Sequence, residues 1–302
     1  MKYNNLTCLD VVIVNHNSTD ELMACLSSID CHSIGRGMSV VVVDNASHDD
    51  LGRVLKQFPW VQLVKNTDNV GFARAVNDGL SQGTADFVMI MNPDTVVTPG
   101  FFQKMVGFMA GHPRIAILGP KVLNDDGSLQ GSARSYPTLS TLLFGRTSFL
   151  TRLFPQSSLS RRSVPALGSD GTSPLDVEWV SGACMLVRRC AVTAVGMLDE
   201  RFFVYWEDVD WCRRMREKGW RVVYYPQAAM IHRIGASSET NLIKSLLTFH
   251  ISFFRYYEKY TRTSLIITAP LVCAGLVLRF MVAAGIATMR RLLTVERRGD
   301  RR

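Results

Sequence analysis

Three acidic side chains stand close together in the segment Glu207-Asp208-Val-Asp210, and Trp206 and Trp211 flank them. An ionised carboxylate between aromatic walls can take a proton from a hydroxyl group, which makes it a general base. The cluster lies at the start of a predicted helix, where the macrodipole favours ionisation while mutual repulsion opposes it. The cluster is therefore either a source of the general base or a set of acidic helix caps.

A second pattern that could carry chemistry is Asn92-Pro-Asp94. In an extended segment, residues two apart project to the same side, so an amide and a carboxylate would face one point. Such oxygens suit a hard divalent cation whose remaining ligands are phosphate oxygens. The alternative is an ordinary turn. His232 ends a later apolar segment, and a solitary histidine is more often packed than ligating, so it becomes a metal ligand only if Asp94 holds a metal nearby.

A third position is Asp44, which ends the apolar run 40–43. Its carboxylate could accept hydrogen bonds from a pyrimidine or a ribose, although an Asx turn explains it equally well. The first apolar run ends in the turn 15–20, which contains no glycine. A dinucleotide fold would carry GxGxxG there and a P-loop protein GxxxxGK[ST], so both classes are excluded.

The elements that must position these residues alternate along the first 120 residues. Strands are predicted at 9–14, 40–43, 61–64 and 87–91, and helices at 21–29, 49–58 and 71–80. Strands this apolar, separated by helices, predict a mostly parallel sheet covered on both faces. Because the polar turns 15–20, 44–47 and 92–95 all follow strands, they should share the edge where such sheets bind ligands.

Beyond this alternation the pattern changes. Residues 121–175 are rich in Gly, Ser and Pro and include Arg146, Arg152, Arg161 and Arg162. This composition predicts a long, partly mobile segment, which we expect near the binding site of an acceptor substrate. Order resumes with a strand region at 177–187, helices at 189–195 and from about 210 to Gly219, and two short strands at 221–225 and 229–232. A helix follows at 242–260. We expect a main domain over 1–240 and a helical, apolar and basic tail over 241–302.

Composition and charge narrow the class of protein. The 302 residues are 47% hydrophobic, which excludes a disordered chain. The seven cysteines form no CxxC pair and no secretory segment opens the sequence, so a reducing cytosolic compartment is expected. Of the formal charge of +8, residues 255–302 carry +7. The rest of the chain is nearly neutral, which argues against nucleic-acid binding. A basic tail beside an apolar stretch favours binding to an anionic membrane surface.

The apolar stretch Leu265–Met289 is long enough to cross a bilayer. Arg279 near its middle and Pro270 weaken a simple spanning helix. Two interpretations stay open: a shallow or re-entrant membrane contact on the cytoplasmic face of the cell membrane, or a helix buried against the domain or against the second subunit of a homodimer.

Six segments taken together resemble the family 2 glycosyltransferases, and most of all their bacterial rhamnosyltransferase branch. In chain order they are VVIVNHNS (11–18), VVDNAS (42–47), NVGFARAVN (69–77), MNPDT (91–95), GACMLVRR (182–189) and FVYWEDVDWCRR (203–214). Each is weak alone, and their order over residues 9 to 235 makes the resemblance specific.

The resemblance implies a GT-A fold and an inverting transferase that uses a nucleotide sugar and a divalent metal, Mg²⁺ or Mn²⁺. Asp208 matches the catalytic base of the family's ED motif, in which Glu207 precedes it. Asp94 matches the metal carboxylate of the DxD motif and His232 the late metal-binding histidine. Asn92 replaces the first aspartate of that motif, which leaves the metal less negative charge. The nucleotide-sugar pocket would be lined by Asn15, Asn17, Asp44, Asn69, Gly71, Arg74 and Asn92.

The predicted function is therefore rhamnose transfer from dTDP-rhamnose to a lipid-linked or polysaccharide acceptor in cell-envelope glycan synthesis. The same fold with a UDP-hexose donor is the first alternative. A catalytically silent, nucleotide-binding membrane-assembly protein is the second, and the presence of Glu207, Asp208, Asp94 and His232 argues against it.

Overall fold

The structure, a computed structural model, describes residues 9–32, 37–136, 164–233, 242–261 and 265–299. The strands are β1 (Leu9–Asn15), β2 (Met38–Asn45), β3 (Val61–Asn66), β4 (Phe87–Met91), β5 (Thr95–Val97), β6 (Ile115–Leu123), β7 (Ala133–Arg134), β8 (Leu175–Asp176), β9 (Trp179–Val180), β10 (Cys184–Arg188) and β11 (Arg221–His232). The helices are α1 (Thr19–His32), α2 (Gly52–Gln57), α3 (Phe72–Leu80), α4 (Phe101–Ala110), α5 (Arg189–Val195), α6 (Glu207–Glu217), α7 (Leu242–Tyr260) and α8 (Leu265–Gly299).

The strands build a central sheet in the order β3-β2-β1-β4-β10-β6-β11-β5, and β8 pairs with β11 at its side. The first four strands of this order run parallel, and β11 is also parallel to β6. β10 runs antiparallel to both of its neighbours, and β5 runs antiparallel to β11. The prediction of a mostly parallel sheet is thus confirmed, with antiparallel strands inserted in its second half.

Alternate residues of each strand feed two hydrophobic cores, one on either face of the sheet. Val11 and Ile13 of β1 pack in the core beneath α1 and α4, whereas Val12 and Val14 pack in the core beneath α3 and α6. Every residue of β1 is buried. A strand covered on both faces has no solvent side, which explains why its sequence is apolar without alternation.

The sequence patterns located most elements but misjudged β11. We predicted two short strands at 221–225 and 229–232, with Pro226 between them. The structure instead has one strand, Arg221–His232, whose register against β6 shifts between Tyr225 and Ala229. The proline is accommodated in this bulge, so the two-strand prediction was wrong.

The predicted irregular segment 121–175 contains more order than expected. Its first residues continue β6 to Leu123, and β7 pairs with β9 to form a separate two-stranded sheet. A 3₁₀ turn at Pro165–Gly168 and strand β8 follow. Residues 137–163, and with them the four arginines singled out there, lie outside the described residues.

The two C-terminal helices form an antiparallel pair. Near one end the Tyr257 hydroxyl contacts the Thr268 hydroxyl, and further along the His250 ring meets the Phe280 ring edge-on with centroids 5.9 Å apart. α7 in turn packs on α6 and on the loop before it. Almost none of Thr268–Gly285 is buried, and this stretch has the length and apolar composition to cross a membrane.

Candidate active site

The predicted turns do meet at one edge of the sheet. β1, β2 and β4 are parallel neighbours, so their carboxyl ends lie side by side. Asn15 stands directly opposite Asp44, and Ile13 stands opposite Met91. Asn92-Pro-Asp94 therefore follows β4 directly beside the last residues of β1.

A serine ties the first two turns together. Ser47 Oγ accepts hydrogen bonds from the Asn15 amide (3.1 Å) and from the backbone N–H of Asn17 (3.0 Å), while the Ser47 N–H donates to Asp44 Oδ1 (3.1 Å). The last contact is the Asx turn that was the alternative interpretation of Asp44. Asp44 is 8% exposed, and Asn15 Oδ1 is buried with no hydrogen-bond partner among the described residues. The turn thus occupies Asp44 Oδ1, while Asn15 Oδ1 receives no hydrogen bond from a described residue.

The Asn69–Gly71 turn connects the end of β2 to the loop that precedes Glu207 and Asp208. Asn69 Oδ1 accepts a hydrogen bond from the Asn45 amide (2.9 Å) and another from the Gly71 N–H (3.1 Å). Gly71 has φ +88°, and a Cβ placed on it would lie 2.5 Å from the backbone oxygen of Phe203. Only glycine fits, because both the backbone conformation and the close approach exclude a side chain. Arg74 is exposed on the first turn of α3.

Asp94 and His232 face each other across two neighbouring strand ends. β5 pairs with β11 so that His232 is opposite Thr95, and the Arg233 N–H donates to the Asp94 carbonyl at 2.9 Å. His232 Nε2 lies 3.2 Å from Asp94 Oδ1, within ion-pair distance but outside hydrogen-bond geometry. Both side chains are shielded, with 14% and 11% of the histidine and aspartate side-chain surface exposed.

These two atoms fit a divalent cation. Two ligands at adjacent corners of an octahedron, each about 2.1 Å from Mg²⁺ or Mn²⁺, are about 3 Å apart. Asp94 Oδ1 is buried without a hydrogen-bond partner in the described ranges, as expected of an atom whose partner is an ion. Those same ranges contain no cluster of three or more His, Cys, Asp and Glu side chains able to hold a metal. Two protein ligands would leave most of the coordination sphere of such an ion to ligands from outside the protein.

The acidic pair begins α6 after a strained turn. Tyr205 and Trp206 both have left-handed backbone conformations, with φ +68° and +75°. Non-glycine residues adopt this conformation at a cost and only where packing enforces it. The Trp206 ring is held against three aromatic rings of α7, those of Phe249, Phe253 and Tyr256. Helix α7 thus stabilises the turn that precedes Glu207 and Asp208.

Asp208 and Glu207 differ in what surrounds their carboxyl groups. Asp208 is half-buried and accepts hydrogen bonds from the Gly182 N–H (2.9 Å) and the Val209 N–H (2.8 Å). Glu207 is 5% exposed, and its Oε2 has no hydrogen-bond partner among the described residues. Burial raises the pKa of both carboxyls, and that of Glu207 rises well above its ordinary range because the Asp208 charge adds to burial. Asp208 therefore holds the negative charge more readily.

Asp210 has a structural role. It is fully buried, and its carboxylate pairs with Arg214 (2.8 Å) and with Lys259 of α7 (2.5 Å). The Tyr260 hydroxyl also donates to it at 2.8 Å. With its oxygens occupied, Asp210 anchors α7 to α6. Of the three acids in the predicted cluster, only Glu207 and Asp208 lack a cationic partner at ion-pair distance in the described structure.

Two residues just before β10 link Asp208 to the Asn92 turn. Gly182 donates its N–H to Asp208 Oδ2, and the carbonyl of the following residue, Ala183, accepts the Asn92 N–H at 3.0 Å. The carboxylate and the Asn92-Pro-Asp94 turn are therefore separated by a single backbone segment. Among the described residues, no hydrogen bond or ion pair joins Arg74 to the other predicted site residues.

Sequence reasoning missed three residues that position this site, namely Ser47, Gly182 and Gln130. Gln130 contacts His232 through both its oxygen and its nitrogen. The GAC segment at 182–184 was part of the family pattern, but its contact with Asp208 spans 26 residues of chain and has no local signal.

Comparison with known proteins identifies the architecture. A family model described as "Glycosyltransferase like family 2" matches residues 7–247. The chain belongs to this family. Over 260 residues this glycosyltransferase is 32% identical to the N-acetylglucosaminyl-diphospho-decaprenol L-rhamnosyltransferase of Mycobacterium tuberculosis H37Rv, covering 82% of each chain. It is 23% identical to the rhamnosyltransferase WbbL of Escherichia coli K12, covering 82% of this chain and 92% of that one.

Solved structures share the fold of this glycosyltransferase. The mannosyltransferase PcManGT of Pyrobaculum calidifontis, in complex with GDP-Man and Mn²⁺, superposes with a TM-score of 0.59 at 16% identity, covering 95% of this chain and 80% of that one. GalNAc-T7 with UDP, GalNAc and Mn²⁺ also gives 0.59, at 17% identity; that match covers 76% of this chain but 44% of the other. The predicted GT-A fold is confirmed.

Proposed function

We propose that this glycosyltransferase transfers rhamnose from dTDP-rhamnose, with inversion, to a lipid-linked acceptor in cell-envelope glycan synthesis. The observation that carries the catalytic part is the link through Gly182 and Ala183, which brings the Asp208 carboxylate beside the Asn92-Pro-Asp94 turn. Donor and acceptor chemistry rest on the relative from M. tuberculosis, whose name specifies an L-rhamnosyl group and a decaprenol-linked sugar.

Asp208 is the general base of the proposed reaction. It accepts the proton of the acceptor hydroxyl as that oxygen bonds to the anomeric carbon and the bond to the diphosphate breaks. Attack from the face opposite the leaving group inverts the anomeric centre, so one carboxylate suffices where a glycosidase needs two. Burial raises the pKa of Asp208, which makes it a better proton acceptor than an exposed aspartate while it stays ionised more readily than Glu207.

Asp94 and His232 would hold the divalent metal, Mg²⁺ or Mn²⁺, in this proposal. The ion would stabilise the negative charge that develops on the departing nucleoside diphosphate. Asp94 Oδ1 and His232 Nε2 are directed at each other, and no described residue forms a hydrogen bond with Asp94 Oδ1, so both atoms could bind a metal ion. Asn92 supplies no charge to this site, so the donor's phosphates must supply the balancing negative charge.

The nucleotide would lie along the edge formed by the turns after β1, β2 and β3. The unpartnered Asn15 Oδ1 and the shielded Asp44 carboxylate offer acceptors for a pyrimidine imide or ribose hydroxyls. Asn17, Asn69, Gly71, Arg74 and Asn92 complete the proposed donor pocket. A UDP-hexose would meet the same acceptors and remains the alternative donor.

The C-terminal helices would hold the enzyme at the cytoplasmic face of the cell membrane. The outward side of α8 is apolar at helical spacing, with Leu271, Leu278, Met281 and Val282 between 55% and 74% exposed. Exposed apolar surface of this extent marks an interaction site, and the basic residues near the C-terminus complement anionic lipids. In this proposal residues 1–240 form the catalytic domain and 241–302 the membrane tail; a homodimer that covers α8 is the alternative.

The test combines a donor panel with one variant. Full-length protein in lipid vesicles is incubated with Mg²⁺ or Mn²⁺, a polyprenyl-diphospho-N-acetylglucosamine and either dTDP-rhamnose or UDP-hexoses, and the product is measured by mass spectrometry. We expect a rhamnosylated lipid, and NMR of that product should show inversion. Product from UDP-hexoses alone would favour the alternative donor, and donor binding without any transfer would indicate a silent nucleotide-binding protein.

Asp208→Asn should lower kcat by about 10²–10⁴-fold, the usual contribution of a positioned base. Donor affinity, measured by calorimetry, should stay close to the wild-type value because the substitution keeps the side-chain shape. Asp176→Asn is the control, since that carboxylate is 47% exposed and pairs with Arg221 on the surface. Near-normal turnover in Asp208→Asn would remove this residue from the role of base.

A further inference from the structure

Gln130 lies behind the histidine of the proposed metal pair and is itself 5% exposed. Its backbone is fixed on both sides: the Gln130 N–H donates to the Val122 carbonyl at 2.8 Å, and the Gln130 carbonyl accepts the Ser132 N–H at 2.7 Å. The side chain reaches from the hairpin after β6 to the end of β11. A buried amide held this firmly has one orientation and one set of partners.

The partners of the amide settle which atom is which. Gln130 Nε2 lies 2.7 Å from the backbone oxygen of His232, and a carbonyl can only accept, so the atom facing it must be the NH₂ group. The same nitrogen donates to Asn124 Oδ1 at 2.7 Å. The other amide atom, Oε1, is therefore the one that lies 3.0 Å from His232 Nδ1. Because Oε1 can only accept, Nδ1 must carry a hydrogen.

A hydrogen on Nδ1 determines what the other ring nitrogen presents. In the neutral ring the lone pair is then on Nε2, which lies 3.2 Å from Asp94 Oδ1. Two lone-pair atoms at this distance repel each other unless a metal ion or a proton lies between them. The β5–β11 ladder fixes the two backbones, and within the described part of the chain the hydrogen bond that holds the ring is the one with Gln130.

We propose that Gln130 is a positioning residue for the metal pair: it holds the His232 ring in the Nδ1–H form with Nε2 directed at the position that the ion shares with Asp94. Metal-ligating histidines commonly donate their second N–H to such a partner, and its loss weakens metal binding by about 10–100-fold. The inference rests on the proposed function, because it concerns the metal that the proposed reaction needs.

The experiment measures Mn²⁺ binding to the full-length protein in detergent with dTDP present, by electron paramagnetic resonance of the free ion. Gln130→Met keeps the side-chain length but removes the acceptor, and Mn²⁺ affinity should fall by about 10–100-fold. Gln130→Glu restores an acceptor for the Nδ1 hydrogen but loses the N–H donor to the His232 carbonyl and to Asn124 Oδ1, so it should recover part of that loss. Gln103→Met is the control, since Gln103 is exposed on α4, and it should bind as the wild type does.

A second readout does not depend on the metal or on activity. Nitrogen-15 NMR of labelled histidine, without metal, should show the Nδ1–H form of His232 in the wild type and a mixture of tautomers in Gln130→Met. This measurement on the wild type decides the question even if Gln130→Met does not fold. A wild-type His232 with its hydrogen on Nε2 alone would overturn the proposal.

The outcomes separate this inference from the function on which it rests. If the wild type binds Mn²⁺, Asp94→Ala loses it and Gln130→Met retains it fully, the role of Gln130 is refuted while the metal site stands. If the wild type does not bind Mn²⁺ with dTDP present, the metal of the proposed function is refuted, and the positioning role with it.

Discussion

Replacing Glu207 by glutamine should make the protein more stable near neutral pH. The Glu207 carboxyl is 5% exposed and its Oε2 has no hydrogen-bond partner among the described residues, while the nearby cations Arg214 and Lys259 pair with Asp210. Burial and the Asp208 charge together raise the pKa of Glu207 well above its ordinary value of 4.5. Glutamine has nearly the shape of the neutral acid and cannot ionise.

The size of the effect follows from proton linkage. A carboxyl whose pKa is raised on folding binds its proton more tightly in the folded state, so stability is complete below the unfolded pKa and is lost as pH rises towards the folded pKa. One proton changes the free energy of unfolding by at most about 1.4 kcal/mol per pH unit. The Glu207→Gln variant should therefore gain on the wild type as the pH rises above the unfolded pKa, by on the order of 1 kcal/mol for each pH unit.

The assay is guanidinium unfolding of both proteins in detergent at half-unit steps from pH 4 to pH 8, followed by tryptophan fluorescence. The advantage of Glu207→Gln should be absent near pH 4 and grow with pH. Glu217→Gln is the matched control on the same helix, because the Glu217 side chain is 54% exposed; its effect should stay small, as for surface ion pairs in general. A constant difference between Glu207→Gln and wild type at all pH values would refute the reasoning.

Two further predictions concern the contact between Gly71 and Phe203 and the exposed face of α8. Gly71→Ala should lower the free energy of unfolding by about 2 kcal/mol or more, through backbone strain and the clash with Phe203. Gly107→Ala is the control, because an added Cβ there meets nothing within 4 Å. In the same unfolding assay it should stabilise α4 by about 0.5–1 kcal/mol. Leu278→Glu, at a side chain that is 65% exposed, should weaken flotation with anionic vesicles by at least about tenfold. Leu55→Glu, on the body of the protein and 37% exposed, should leave flotation unchanged, and equal flotation of both variants would contradict a membrane role for α8.

The sequence predicted the first half of the sheet because its signals are local. The runs in β1, β2 and β4 are apolar without alternation, which is what burial on both faces requires, and polar turns follow each of them. Parallel pairing then places those turns on one edge whatever the details of the packing. β11 escaped this reasoning, because Pro226 breaks the local pattern while its neighbours supply the pairing that holds the strand together.

Residue types and spacing by themselves predicted the class of fold and the sheet edge shared by the polar turns, and the family resemblance predicted Asp44, Asp94, Asp208 and His232 as candidate side chains. Tertiary structure alone decided how these side chains are held and which acids are free to react. Asp210 is neutralised by Lys259 from a helix 49 residues further along, and the His232 ring is oriented by Gln130, 102 residues before it. Such contacts depend on the distance between side chains in space, and no local pattern in the chain encodes that distance.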